Sequence, residues 1–126
     1  MTRVLTGRIV LESLRIGTPL TVPDLTVTQI GRQDVSSSAA PTQPAVWSYL
    51  DFEAPDDRAA ELAEALAAGL LPDGGWYASF EVANELVVIF AKRVFRYVRG
   101  DRDAHGKAVA HALAVGVPRH QIDWGE

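Results

Sequence analysis

The chain has 126 residues, a formal net charge of −4, no cysteine and 48% hydrophobic residues. That length suits one domain able to bury roughly two-thirds of the surface its unfolded chain would expose. The mild acidity argues against general binding to nucleic acid or anionic membranes; the absence of thiols excludes disulfides, cysteine nucleophiles and cysteine-based zinc sites and makes a reducing, cytoplasmic setting the expectation.

In the opening MTRVLTGRIVLESLRIG, Arg8, Glu12 and Arg15 interrupt every apolar run, so neither a signal peptide nor a membrane span is expected there. Residues 4–16 and 25–35 read as two strands. The second alternates through Leu25-Thr26-Val27-Thr28 until its phase slips at Ile30, as at a bulge or a strand end. Gly17-Thr18-Pro19 and Val22-Pro23-Asp24 punctuate the loop between them. Ser36 to Pro44 then has the composition of a mobile surface linker. The expectation is a single domain, 1–126, made of an N-terminal β arm (1–35, a hairpin), a linker (36–45) and a core (46–126).

The core opens with a strand over Val46 to Ala54, where Val46, Leu50, Phe52 and Ala54 alternate with Trp47, Tyr49, Asp51 and Glu53. Pro55-Asp56-Asp57 starts a helix with an acidic first turn, and Ala59, Leu62, Ala63, Leu66 and Leu70 recur at helical spacing. Trp76 to Arg99 is the longest concentration of β-branched and aromatic residues. Ala83-Asn84 is its natural hairpin turn, which places Val82 opposite Glu85, Phe80 opposite Val87 and Ala78 opposite Ile89. Ala91-Lys92-Arg93 is either a bulge in one long strand or a turn that creates a further strand, Val94 to Val98. Asp101 or Asp103 caps a second helix with Val109, Ala112 and Leu113 as its apolar stripe; Gly116 and Pro118 end it, and His120 to Trp124 forms a short last strand or a docked tail.

Strand, helix, strand, strand, helix, strand is the βαββαβ order of a ferredoxin-like α+β unit, with an antiparallel sheet and both helices on one face. On that arrangement the helices cover Leu50, Phe52, Trp76 and Phe80. The opposite face presents Trp47, Tyr49, Tyr77, Leu86, Val88 and Phe90 with the polar Asp51, Glu53, Ser79 and Glu81. An apolar area of that size needs a cover: the N-terminal hairpin, a second subunit or a ligand.

Chemistry-bearing patterns are sparse. Asp51 and Glu53 lie about 7 Å apart on one strand face and with Glu81 could act in acid/base work or hold a hard cation; a solvated sheet edge is the ordinary alternative. His105, His111 and His120 lack metal-ligand spacing, and no serine stands on a Gly-x-Ser-x-Gly elbow. Gly74-Gly75-Trp76 precedes a strand rather than a helix, and no Gly-Lys-Ser/Thr follows, so it reads as a turn rather than a phosphate loop. No metal or cofactor is expected. Lys92, Arg93, Arg96, Arg99 and Arg102, interleaved with Phe95 and Tyr97, form the best nucleic-acid candidate, but the RNA-recognition aromatic signature is missing and pairing of this strip with Asp56, Asp57, Glu61 and Glu64 is the expectation.

Val94-Phe95-Arg96-Tyr97, Arg99-Gly100-Asp101 and the stretch Gly116 to Trp124 resemble small bacterial proteins of uncharacterised function; the resemblance covers roughly a third of the chain, carries no catalytic motif and implies no activity. The expectation is therefore a non-catalytic interaction or ligand-binding module, homodimeric, using the sheet face of Trp47, Tyr49, Asp51, Glu53, Tyr77, Glu81, Leu86, Val88 and Phe90, with itself, a small molecule or another protein as partner. Two alternatives stand beside it. One is a metal-independent enzyme with Asp51, Glu53 or Glu81 as general base, which requires a buried carboxylate with a raised pKa. The other is a regulatory partner of another protein, docked through the acidic first helix.

Overall fold

The strand Glu85–Phe90 carries Leu86, Val88 and Phe90 on one face and Val87 and Ile89 on the other, and none of the five is more than 3% exposed. A strand apolar on both sides belongs inside a sheet with cover on each. The computed structural model, which describes residues 3–124, covers both faces with helices. One sheet of six antiparallel strands is formed by β1 (Val4–Val10), β2 (Thr26–Asp34), β3 (Val46–Pro55), β4 (Ala78–Val82), β5 (Glu85–Phe90) and β6 (Arg93–Val98), in the spatial order β2-β3-β1-β4-β5-β6. Helix α1 (Ala59–Gly69) buries Leu62, Ala63 and Leu66 with Leu5, Ile9, Phe52, Phe80, Val87 and Ile89 on one face. Helix α2 (Arg102–Ala114) lies on the other, where Ala108 and Ala112, both fully buried, pack with Leu86, Val88, Phe90 and Tyr97.

The α+β class holds, but the ferredoxin-like arrangement does not: the helices sit on opposite faces, and β1 separates β3 from β4. Nor do the first two strands form a hairpin arm, because β1 and β2 pair with opposite edges of β3. Gly7 makes the central place of β1 possible. The Phe52 ring from β3 lies over it, and a Cβ there would come within 2.6 Å of Phe52 Cζ. The phase slip in β2 is a register shift between Val27 and Gln29.

The β4–β5 hairpin has the expected register, although the positive φ falls on Ala83 (52°) rather than on Asn84. Lys92 also has positive φ (62°), so residues 91–92 are a turn and β6 is a separate edge strand. Asp101 caps α2, accepting from the Ala104 N–H at 3.1 Å. The buried stripe of α2 runs through Ala108 and Ala112, while Leu113, expected in it, faces outward. Residues 118–124 form a docked tail with a 3-10 turn, Arg119–Gln121, and no strand.

The segment expected as a mobile linker is pinned at Gln43. Its Nε2 donates to the Gly74 carbonyl at 2.9 Å, and its Oε1 accepts from the Ala40 N–H and from Gln121 Nε2, each at 2.9 Å. Arg96 and Arg99 of the basic strip pair with Glu85 and Glu81 rather than with the acidic helix, and Arg93 stacks on Phe95. Among the described residues no helix is long and apolar enough to cross a membrane.

Candidate functional site

Helix α2 covers only the β5–β6 half of its face. Over the other half the alternation of β3 turns Trp47, Tyr49, Asp51 and Glu53 outward, and its register with β1 sets Val10 opposite Tyr49, Arg8 opposite Asp51 and Thr6 opposite Glu53. The tail and the turn before β4 rise beside this strip and close a groove of about 400 Å³, lined by Arg8, Gln33, Trp47, Tyr49, Trp76, Tyr77, Ser79 and Asp123 among others. A second cavity of about 360 Å³, walled by Thr6, Glu81 and Trp124, shares Ser79 and Asp123 with the first.

Each aromatic wall is held in place. Trp47 Nε1 donates to the Pro44 carbonyl at 2.9 Å, and its ring stands 5.2 Å from that of Trp76 at 58°. The Tyr49 hydroxyl accepts from Gln29 Nε2 at 2.9 Å, and its ring lies over Gly31, where a Cβ would come within 2.5 Å of Tyr49 Cζ. The Arg8 guanidinium covers the outer face of Tyr49, 4.1 Å from the ring centre, and grips Asp51 through Nε at 2.6 Å and Nη2 at 3.1 Å. The Tyr77 hydroxyl sits between the Gln121 carbonyl, at 2.5 Å, and the Asp123 carboxylate. Burial, and then the Asp123 carboxylate, push its pKa well above the ordinary phenol value, so Tyr77 remains a donor that ties the tail to the sheet. Gln121 Nε2 and His120 Nε2 both reach the Ser38 carbonyl, at 2.8 and 2.7 Å.

This arrangement bears directly on acid/base chemistry. The hydrogen bond from Arg8 holds the Asp51 carboxyl below the usual carboxylate range, the opposite of what a base poised near neutral pH requires. Glu81 is engaged by Arg99, and Glu53 is separated from it by Thr6 of the intervening strand, a span of roughly 9–10 Å at two strand spacings. Asp51, Glu53 and Glu81 therefore share a face without forming a carboxylate group. Among the described residues no cluster of three His, Asp or Glu side chains is placed to hold a metal ion.

Of the residues expected on the interaction face, Trp47, Tyr49 and Tyr77 line the groove, Asp51 supports it through Arg8, Glu81 walls the second cavity, and Glu53 is exposed and lines neither. Val88 and Phe90 line neither cavity, because α2 and Trp124 bury them, whereas Leu86, itself 3% exposed, lines the second cavity. Trp76, expected beneath the helices, turns toward the groove instead. Arg8, Gln33 and the tail residues escaped the sequence reading because they come from segments read as an arm and a terminus. The available signal was Arg8 itself, polar and out of phase with Leu5 and Ile9 in an otherwise apolar strand. Comparison with protein-family models, curated proteins and solved structures finds no match to this chain.

Proposed function

We propose that this chain is a non-catalytic binding module whose site is the groove between the β3–β1 strip and the C-terminal tail. The observation that carries this reading is the groove's construction: a concave volume of about 400 Å³ with Trp47, Tyr49, Trp76 and Tyr77 around it, the polar ends of Trp47, Tyr49 and Tyr77 being engaged by protein partners. Binding sites for small molecules are of this size and are typically apolar-walled with a few fixed polar groups. The test is a 1H–15N spectrum of the full chain screened against a fragment library of neutral and charged compounds. Binders are expected to shift the indole signals of Trp47 and Trp76, and Trp47→Ala is expected to weaken them roughly tenfold or more while the protein stays folded. A library that moves neither indole would end this reading.

Self-association is a second reading, favoured by β2. Val35 N–H bonds to the Ala45 carbonyl, so in the antiparallel ladder residues 33, 31 and 29 also turn toward β3, while Ile30, Arg32 and Asp34 direct their N–H and C=O groups outward. This edge is nine residues long, and Val27 and Ile30 beside it are 46% and 66% exposed. Ile30→Pro removes one outward donor without touching the β3 ladder. It is expected to convert a dimer to a monomer in light scattering, and a wild-type chain that is monomeric at high concentration would exclude the pairing.

A further inference from the structure

The first cavity and its neighbour form a trough with little net charge to offer an ionic ligand. Arg8 is the one lysine or arginine lining either of them, and its guanidinium is already bonded to Asp51 and stacked on Tyr49. A phosphate or carboxylate placed there would meet the Asp123 carboxylate with no unengaged Lys or Arg among the described lining residues. The walls also lack a slot for a flat heterocycle. Trp47 and Trp76 stand 58° apart, not parallel; Arg8 lies over the Tyr49 ring, Trp76 is buried, and the Tyr77 ring packs against Phe90 and Trp124, which leaves half-buried Trp47 as the aromatic platform. The side chains of Gln33 and Ser79, which line the same cavity, have no hydrogen-bond partner among the described residues, and between them they can donate and accept.

One aromatic face, neutral donors and acceptors around it, and a second chamber reached past Ser79 and Asp123 together match a sugar ring. The C–H face of a pyranose is apolar and slightly positive, suited to the negative face of an indole, while its hydroxyls project outward as donors and acceptors. Resting on the reading of the groove as a binding site, we infer that its ligand is a neutral oligosaccharide of at least two rings, one stacked on Trp47 and the next lying toward Trp124. Thr6 and Glu81 flank the second ring. Gln33 and Ser79 bind the hydroxyls of the first.

The three tryptophans of the chain, Trp47, Trp76 and Trp124, all line this trough, so its occupancy reads out on the three indole N–H signals. The full-length protein is titrated with maltose, cellobiose and N,N′-diacetylchitobiose, and separately with AMP as a planar anion. At least one disaccharide is expected to shift the Trp47 and Trp124 indoles together. Gln33→Ala should weaken it by roughly 2–10-fold, Trp47→Ala should abolish it, and Trp47→Phe, which keeps a ring, should preserve it in a folded chain. Binding of AMP or another fragment at Trp47 with no response to any disaccharide overturns the sugar assignment and leaves the groove as a binding site. No response at Trp47 to disaccharides, AMP or the fragment library overturns both.

Discussion

Phe90→Ala is expected to lower the free energy of unfolding by about 3–5 kcal/mol, measured by urea denaturation. The Phe90 ring is 1% exposed and meets Phe95 at 5.8 Å, His111 at 4.7 Å and Trp124 at 6.2 Å between ring centres. Burial, and the nearby Arg93 charge, keep His111 below the ordinary histidine pKa, which favours the neutral ring that packs there. Removing the phenyl ring therefore leaves a void between β5 and α2 that small Ala108 and Ala112 cannot fill. The same substitution separates two roles for this residue. If Phe90 belonged to an exposed docking face, its loss would change association and spare stability. Loss of stability with an unchanged oligomeric state is the outcome that buried packing requires.

How much was legible beforehand follows from where the determinants lie. The β4–β5 register was readable because Phe80, Val82, Val87 and Ile89 alternate around one turn, and a cap at Asp101 or Asp103 because such an interaction is local; the structure places it at Asp101, which accepts from the Ala104 N–H. That β5 needed two covers was also readable, from its two apolar faces. Which segments supply them was not. The choice depends on α2 crossing to the face opposite α1, and α2 carries its buried stripe on Ala108 and Ala112, whose small side chains give almost no periodic signal. The insertion of β1 between β3 and β4 is likewise a contact between segments far apart in sequence. Its local trace is Gly7, which reads as a weak strand residue until Phe52 is seen lying across it. The groove was half visible: Trp47 and Tyr49 share a strand face by simple alternation, but Arg8, Gln33 and Asp123 reach it only through the sheet order and the docked tail.

The tail is held by backbone approach as well as by Tyr77 and Gln121, which makes Gly75→Ala the second large expected effect. Gly75 has φ of +73°, and a Cβ there would lie 2.5 Å from the carbonyl oxygen of Gly116 and 3.2 Å from Val117 Cα, both parts of the backbone that leads into the tail. A left-handed conformation costs an alanine about 1–2 kcal/mol, and forcing the two backbones apart adds about 1–3 kcal/mol. Gly100→Ala isolates the first cost, since its φ is +96° and nothing lies within 4 Å of the added Cβ. Thermal or urea unfolding of the pair should show Gly75→Ala losing clearly more than Gly100→Ala, and equal losses would mean that the approach of Gly116 to Gly75 contributes nothing. Because Gly75, Trp76 and Tyr77 are consecutive walls of the groove, displacing the tail at Gly75 also widens the site. Gly75→Ala should therefore weaken any ligand seated on Trp47, whereas Gly100→Ala, remote from that wall, should leave binding intact.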